Sequence, residues 1–256
     1  CVLANNHVLD FGRRGLTETL DTLARAGLPA VGAGRDCAAA RRPVPVTLAG
    51  GGRVVVFACG DRSSGIPPGW AAGDARPGVD LLAGLRTGDA DQVIARVRAT
   101  RRPGDVTVVS LHWGSNWGYE VGSEQAAFAH RLIEGGVDLV FGHSSHHPRP
   151  LEVYRGKLIL YGCGDFIDDY EGITGYEEYR DDLRLLYVAQ VRRGTGELAG
   201  LTMVPLQAHR MRLRHASAAD ARWLAATLDR VSAPLRTRVA LEPDGVLTAR
   251  PAGGEP

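Results

Sequence analysis

Residues 106–114, VTVVSLHWG, and residues 137–147, VDLVFGHSSHH, decide the fold because each is an apolar strand that leads into histidine. The segment that begins at Ser123 separates them and predicts a helix, since its apolar side chains recur at helical spacing. Open α/β sheets place their ligands at the carboxyl ends of strands. We therefore expect His112 and His143 to reach one cleft.

A third apolar run opens the chain and leads from Cys1-Val2-Leu3-Ala4 into Asn6. Five of the eight histidines thus gather at three predicted strand ends, namely His7, His112, His143, His146 and His147. A lone histidine at a strand end is more often a hydrogen-bonded residue than a ligand, but this convergence favours a site. Imidazole nitrogen and amide oxygen suit Mn²⁺, Fe or Zn²⁺, whereas the scattered cysteines do not form a thiolate site. The sequence therefore predicts a metal site.

After Pro150 the sequence changes to an antiparallel pattern of short strands. The predicted strands are 151–154, 157–161, 183–191 and 198–206, with a helix near 217–231 and a last hairpin around 243–245. An acidic and aromatic loop covers 165–182. We expect one domain over residues 1–250 and a disordered Gly- and Pro-rich tail over residues 251–256.

The composition is that of a globular protein, with 44% hydrophobic and 23% charged residues in a chain of 256. The formal net charge is +1 and basic residues are dispersed, which indicates against nucleic acid as a partner. No run in the visible chain approaches the roughly 18–20 apolar residues of a membrane span. The compartment stays open between the cytoplasm and the extracytoplasmic face of a bacterial cell.

Five motifs occur in order along the chain: ANNHVLDFG at 4–12, SLHWG at 110–114, GHSSH at 142–146, EVYRGKLI at 152–159 and YGCGDF at 161–166. Together they resemble the CapA/PgsA-like family of capsule (poly-γ-glutamate) biosynthesis proteins, within the calcineurin-like metallophosphoesterase superfamily. The resemblance implies an α/β fold, a metallophosphatase-like two-sheet (α/β/β/α) sandwich with mixed sheets. It also implies that the family's first motif, with further carboxylates, would lie upstream of residue 1.

The same resemblance implies a centre of two divalent metal ions, Mn, Fe or Zn, with the ligands Asn6, His112, His143 and His146. His7 would stabilise the transition state or protonate the leaving group, and Asp10 could orient it. Two serines separate the histidines of the Gly-His motif, so His147 stays an alternative to His146. Asp165 could be a carboxylate behind a ligand or a turn residue.

The leading hypothesis is a metal-dependent hydrolase of metallophosphoesterase type, associated with capsule or poly-γ-glutamate biosynthesis. Its substrate would be an anionic small molecule or polymer, which Arg13 and Arg149 could meet. One alternative is a non-catalytic assembly or export component of a polymer-synthesis complex, with other synthesis proteins as partners. Another is a dinuclear-metal amide or peptide hydrolase, because such a centre can act on a carbonyl as well as on a phosphoryl group.

Overall fold

The computed structural model describes residues 1–168 and 172–253, which fall into two compact units. The first unit comprises Cys1–Gly114 and Gly122–Ser144, and the second comprises Ser115–Val121 and the described residues from Ser145 onward. Each unit has strands and helices of its own. The single domain expected over residues 1–250 stays a prediction.

A mixed sheet is the centre of the first unit. In chain order the elements are α1 (Gly12–Arg25), β1 (Ala33–Gly34), α2 (Cys37–Ala40), β2 (Val44–Thr47), β3 (Arg53–Gly60), β4 (Gly78–Val79), α3 (Thr87–Thr100), β5 (Val106–His112), α4 (Ser123–Glu134) and β6 (Leu139–His143). β3, β5 and β6 run parallel to one another, whereas β2 is antiparallel to β3. β1 and β4 form a separate antiparallel pair.

The parallel strands form where the sequence is continuously apolar. Val109 of β5 and Val140 of β6 are fully buried, as expected for parallel strands whose crossover connections are helices. The crossover helices α3 and α4 approach closely at Gly135, where a Cβ atom would stand 2.3 Å from Ile94 Cδ1. Because β3, β5 and β6 are parallel, their carboxyl ends lie at one edge of the sheet.

The second unit is built on antiparallel strands. Its elements are β7 (Leu151–Tyr154), β8 (Lys157–Leu160), β9 (Leu183–Val191), β10 (Leu198–His209), β11 (Arg212–His215), α5 (Ala218–Ser232), β12 (Thr237–Leu241) and β13 (Leu247–Pro251). β7 and β8 form a hairpin. β10 is the longest strand and pairs with β9, β11 and β13, and β12 completes the sheet beside β13.

Turn and capping residues explain why these elements begin and end where they do. Arg155 and Gly156 turn between β7 and β8 with positive φ values of 50° and 74°, the backbone conformation of tight hairpin turns. The Ser217 hydroxyl accepts a hydrogen bond from Asp220 N at 3.1 Å and caps α5. The predicted hairpin and helix are therefore confirmed. β11 was not predicted, because RLRH carries a single apolar residue.

The two units confirm the predicted α/β class with mixed sheets. The helix expected from Ser123 is present as α4, and its capping position is Gly122. Pro251, the first residue of the expected tail, pairs with Thr237 in the sheet. Residues 254–256 of the tail and residues 169–171 of the acidic loop lie outside the described residues. No described helix is long and apolar enough to cross a membrane.

Candidate metal site

His112 and His143 meet at the carboxyl ends of two adjacent parallel strands. They are direct register partners, the last pair of the β5–β6 ladder. Their rings have centroids 4.9 Å apart, and the two Nδ1 atoms are 2.9 Å apart. The convergence expected from the two apolar strands is therefore present, and it depends on the parallel register.

Asn6 reaches the same pair from the loop that follows the first residues of the chain. Leu3 N donates to Val31 O at 2.8 Å and fixes that segment. Asn5 Oδ1 accepts a hydrogen bond from His7 N at 2.9 Å, which tightens the turn that carries Asn6. Asn6 Oδ1 then lies 3.0 Å from His112 Nε2. The first unit thus brings together three of the four predicted ligands.

The hydrogen bonds in this cluster define one consistent proton arrangement. An amide oxygen only accepts, so His112 Nε2 carries the proton that it donates to Asn6 Oδ1. His112 Nδ1 is then the acceptor for His143 Nδ1–H. His143 Nε2 in turn accepts from the Ser110 hydroxyl at 3.0 Å. This arrangement is the one that holds when His112 carries a single ring proton.

Burial supports the neutral state of the His143 ring. The enclosure of His143 lowers its pKa to about 4, because a charged imidazolium would lose its hydration. Metal ions bind the neutral form of histidine, so a ring that stays unprotonated at neutral pH is prepared for coordination. The electrostatics of the cluster therefore favour a cation rather than an anion.

Residues that the sequence reasoning did not select hold the His112 backbone. Asp61 N and the Ser64 hydroxyl both donate to His112 O, at 2.8 Å and 3.0 Å. Ser63 Oγ accepts from Gly114 N at 2.9 Å on the other side of the histidine. Ser110 was also missed as a partner of His143. Its position two residues before His112 was a usable signal, because alternate residues of a strand share a face.

The two Nδ1 atoms fit a transition-metal ion with a small adjustment, whereas Asn6 Oδ1 faces the other ring nitrogen of His112, Nε2. Two nitrogen ligands at about 2.0–2.1 Å from a tetrahedral ion stand about 3.3 Å apart, compared with 2.9 Å between the two Nδ1 atoms. A metal ion would replace the hydrogen bond between the imidazoles. Across residues 1–168 and 172–253 no group of three or more His, Cys, Asp and Glu side chains forms a metal cluster. The cluster described above has two imidazoles and an amide oxygen.

His7 and Asp10 form an exposed pair in the first unit. His7 Nδ1 lies 2.8 Å from Asp10 Oδ2, which is the contact predicted for the orienting carboxylate. The pair stands at an open groove of about 890 Å³, whose lining includes Phe11 and Arg14. Arg13, suggested as a contact for an anion, donates to Gly69 O at 2.8 Å. The groove gives solvent and small molecules access to His7.

His146 and His147 are adjacent in the second unit, but they have different surroundings. His146 Nδ1 lies 2.9 Å from Asp165 Oδ2, and this hydrogen bond raises the pKa of His146. His147 is fully buried, its ring stacks 4.6 Å from that of Tyr179, and burial lowers its pKa to about 4. Its Nε2 is buried and has no hydrogen-bond partner among residues 1–168 and 172–253. Asp165 therefore does more than occupy a turn, and the accessible imidazole is that of His146.

The aromatic residues after His112 are core and packing residues. Trp113 is buried in the first unit and meets Phe128 edge to face. In the second unit Trp117 stacks on Tyr176, with centroids 4.1 Å apart and planes within 3°. The Trp117 ring also lies 5.4 Å from that of His146. These rings limit the positions that the His146 imidazole can adopt.

Comparison with known proteins assigns the family. The model described as bacterial capsule synthesis protein PGA_cap matches residues 1–170, a range that includes all five sequence motifs. The chain belongs to this family. It is 53% identical, over 253 residues and 98% of its length, to a probable polyglutamine synthesis accessory protein of Mycobacterium tuberculosis, of which it covers 67%.

Two further relatives of this PGA_cap protein come from bacilli. The chain is 30% identical over 206 residues to the PGA biosynthesis protein CapA of Bacillus subtilis, an alignment that covers 80% of this chain and 50% of the relative. It is 28% identical over 189 residues to the capsule biosynthesis protein CapA of Bacillus anthracis, covering 72% and 43%. The chain thus spans half or less of these CapA proteins. The predicted CapA-like family and its association with capsule biosynthesis are confirmed.

Proposed function

We propose that this chain is a metal-dependent hydrolase of metallophosphoesterase type that acts in capsule or poly-γ-glutamate biosynthesis. The observation that carries the proposal is the convergence of Asn6, His112 and His143 at the ends of parallel strands. The names of the relatives, which refer to polyglutamine synthesis and PGA biosynthesis, suggest the polymer. The substrate class is an anionic polymer or an anionic small molecule derived from it.

His112 and His143 would hold one of two divalent ions, Mn, Fe or Zn, through their Nδ1 atoms, and Asn6 would add its amide oxygen by turning away from His112 Nε2. His146 is proposed as a further ligand through Nε2, because a carboxylate on the opposite ring nitrogen is the usual support of a metal-binding histidine. When bound, the ions would supply Lewis-acid activation of a phosphoryl or carbonyl group. Asp165 would keep the His146 ring oriented.

His7 would act on protons rather than on metal. Asp10 accepts a hydrogen bond from Nδ1, which fixes the tautomer and leaves Nε2 to hold or release a proton. The ring is largely exposed beside the groove, so a substrate oxygen can approach it. Asp10 orients the ring. Both residues thus have roles that substitution can separate from metal binding.

Metal content tests the ligand assignment. Protein purified without chelators should contain Mn, Fe or Zn by elemental analysis, and His112→Ala and His143→Ala should each lose most of it. A matched control is His215→Ala, which removes an exposed histidine of β11. If His112→Ala and His143→Ala both kept the wild-type metal content, the assignment of these ligands would be wrong.

Turnover tests the hydrolase. His7→Ala should keep the metal content and lose about 10²–10⁴-fold in turnover, the usual contribution of a general acid or base. A phosphodiester and a γ-glutamyl amide assayed side by side separate the two hydrolase hypotheses. Hydrolysis of the amide alone would replace the phosphoesterase with an amide hydrolase. Normal turnover by His7→Ala would remove His7 from the mechanism.

A non-catalytic assembly role is the second candidate, and the word accessory in the name of the mycobacterial relative favours it. In that case metal-loaded protein would hydrolyse neither the ester nor the amide. A host strain that depends on this protein for polymer production would then make normal amounts of polymer with His7→Ala. Loss of polymer with His7→Ala, at normal protein level, would instead support the hydrolase.

A further inference from the structure

Three exposed apolar residues lie together in the second unit. Phe166, Ile167 and Met211 are 39%, 78% and 55% exposed. With Leu213 of β11 they line one shallow depression on the surface. Single exposed apolar residues are common, whereas a contiguous exposed patch marks an interaction site. We call Phe166, Ile167 and Met211 the apolar tip.

The β10–β11 hairpin presents part of the apolar tip on a strained turn. The turn residues Arg210 and Met211 both have positive φ values, 49° and 60°. His209 and Arg212 are the pair of strand residues directly beside this turn. Two-residue turns of this kind favour Asn-Gly, because a Cβ atom is disfavoured at positive φ. An arginine and a methionine stand there instead. Strain retained in this way is typical of functional positions.

Cationic side chains flank the apolar tip. Arg210 and Arg212 are exposed, and neither side chain has a hydrogen bond or ion pair with any residue in the part of the chain that the structure describes. Asp168, at the edge of the same depression, pairs with Arg184 at 3.0 Å, so its charge is compensated. Counting only residues that the structure describes, the hairpin end combines exposed apolar groups with two arginines that have no ion-pair partner.

We propose that the apolar tip, with Arg210 and Arg212, docks this protein on the surface of an anionic lipid bilayer. Apolar side chains gain by entering the boundary of the acyl region, and guanidinium groups gain by meeting anionic headgroups. A soluble polyanion would attract the arginines equally, but it would offer no apolar phase to Ile167 and Met211. The combination therefore favours a membrane surface. The contact is peripheral.

Co-sedimentation with lipid vesicles tests the docking. Wild-type protein should bind vesicles of phosphatidylglycerol and phosphatidylcholine, bind phosphatidylcholine alone far more weakly, and dissociate as NaCl is raised. Arg212→Gln should weaken binding about fivefold, and a double variant with Arg210→Gln about 25-fold. The double variant Ile167→Asp with Met211→Asp should not bind. Leu28→Asp, which changes an exposed leucine of the first unit, is the matched control.

Thermal unfolding followed by circular dichroism shows whether each variant is folded. Wild-type protein that fails to sediment with anionic vesicles would overturn the proposal. Equal binding by Ile167→Asp with Met211→Asp would overturn it as well. Capture by soluble polyglutamate at the same salt concentration, unaffected by these two substitutions, would identify a polyanion site instead. Metal content and turnover do not enter these readouts, so the hydrolase proposal is tested separately.

Discussion

Asp138 joins the beginnings of β5 and β6, and its replacement by alanine should destabilise the protein by about 2–4 kcal/mol. The buried carboxylate accepts hydrogen bonds from Thr107 N at 2.9 Å and from Thr107 Oγ1 at 3.0 Å. Arg101 Nη2 lies 3.2 Å from the same oxygen, Asp138 Oδ2. The substitution would therefore remove the acceptor of two donors and the partner of a guanidinium group.

The magnitude follows from these contacts. A buried donor left without an acceptor costs about 1–3 kcal/mol, and Asp138→Ala leaves Thr107 N in that state, whereas the Thr107 hydroxyl keeps Gly136 O as an acceptor at 3.2 Å. Arg101 is partly exposed, so the loss of its ion pair with Asp138 lowers the free energy of unfolding by less than the loss of a fully buried ion pair would. Asp138→Asn keeps an acceptor oxygen but loses the charge, which should cost about 1–2 kcal/mol. Asp138→Asn should thus be less stable than the wild type, and Asp138→Ala should be less stable than Asp138→Asn.

The contacts of Asp138 lie at the opposite end of the β5–β6 pair from the candidate metal site. Asp138 and Thr107 begin the parallel ladder whose last pair is His112 and His143. A shift of one residue would turn alternate side chains to the opposite face. Urea unfolding monitored by circular dichroism gives the free energy of unfolding for the wild type, Asp138→Asn and Asp138→Ala. An alanine variant within about 0.5 kcal/mol of the wild type would refute this account of the ladder.

Two further predictions concern pH and packing. The hydrogen bond that Arg53 donates lowers the pKa of the Asp105 carboxyl group. The stability that this carboxylate contributes is therefore present above its unfolded pKa of about 3.9. That stability is lost as the pH falls through the lower pKa of the folded state. Arg53→Gln should make the acid loss of stability shallower in unfolding curves below about pH 4, and an identical pH profile would count against the ion pair. Gly162→Ala should cost about 1–3 kcal/mol, because the new Cβ would lie 2.4 Å from Ser145 Oγ. Gly88→Ala, with open space in α3, should stabilise by about 0.4–1 kcal/mol, and equal denaturation midpoints for the two glycine variants would contradict this difference.

Much of the fold was predictable because local patterns and tertiary structure agree. β5 and β6 follow uninterrupted apolar runs, and β7 and β8 flank a turn that Gly156 makes possible. β11 was missed because its charged residues give it little apolar pattern, and it forms by pairing with the end of β10. Its existence depends on a neighbouring strand rather than on its own composition.

The candidate site was predictable in its chemical groups but not in all its partners. Asn6, His112 and His143 were selected from their positions after apolar runs, and the structure brings them together. The backbone of His112 is held by Ser64, which lies 48 residues away in the chain, and no local pattern links the two. Contacts of this kind arise only when distant segments meet.

The sequence by itself determined which chemical groups follow the strands and that these strands are apolar enough to be buried. Only the tertiary structure decided the register that sets His112 against His143, since register depends on the pairing of separate segments. It also distinguished His146 from His147, two neighbours of the same residue type. Asp165 contacts His146, while aromatic rings enclose His147. Burial and hydrogen bonding depend on residues far away in the chain, so adjacent identical side chains can differ in chemistry.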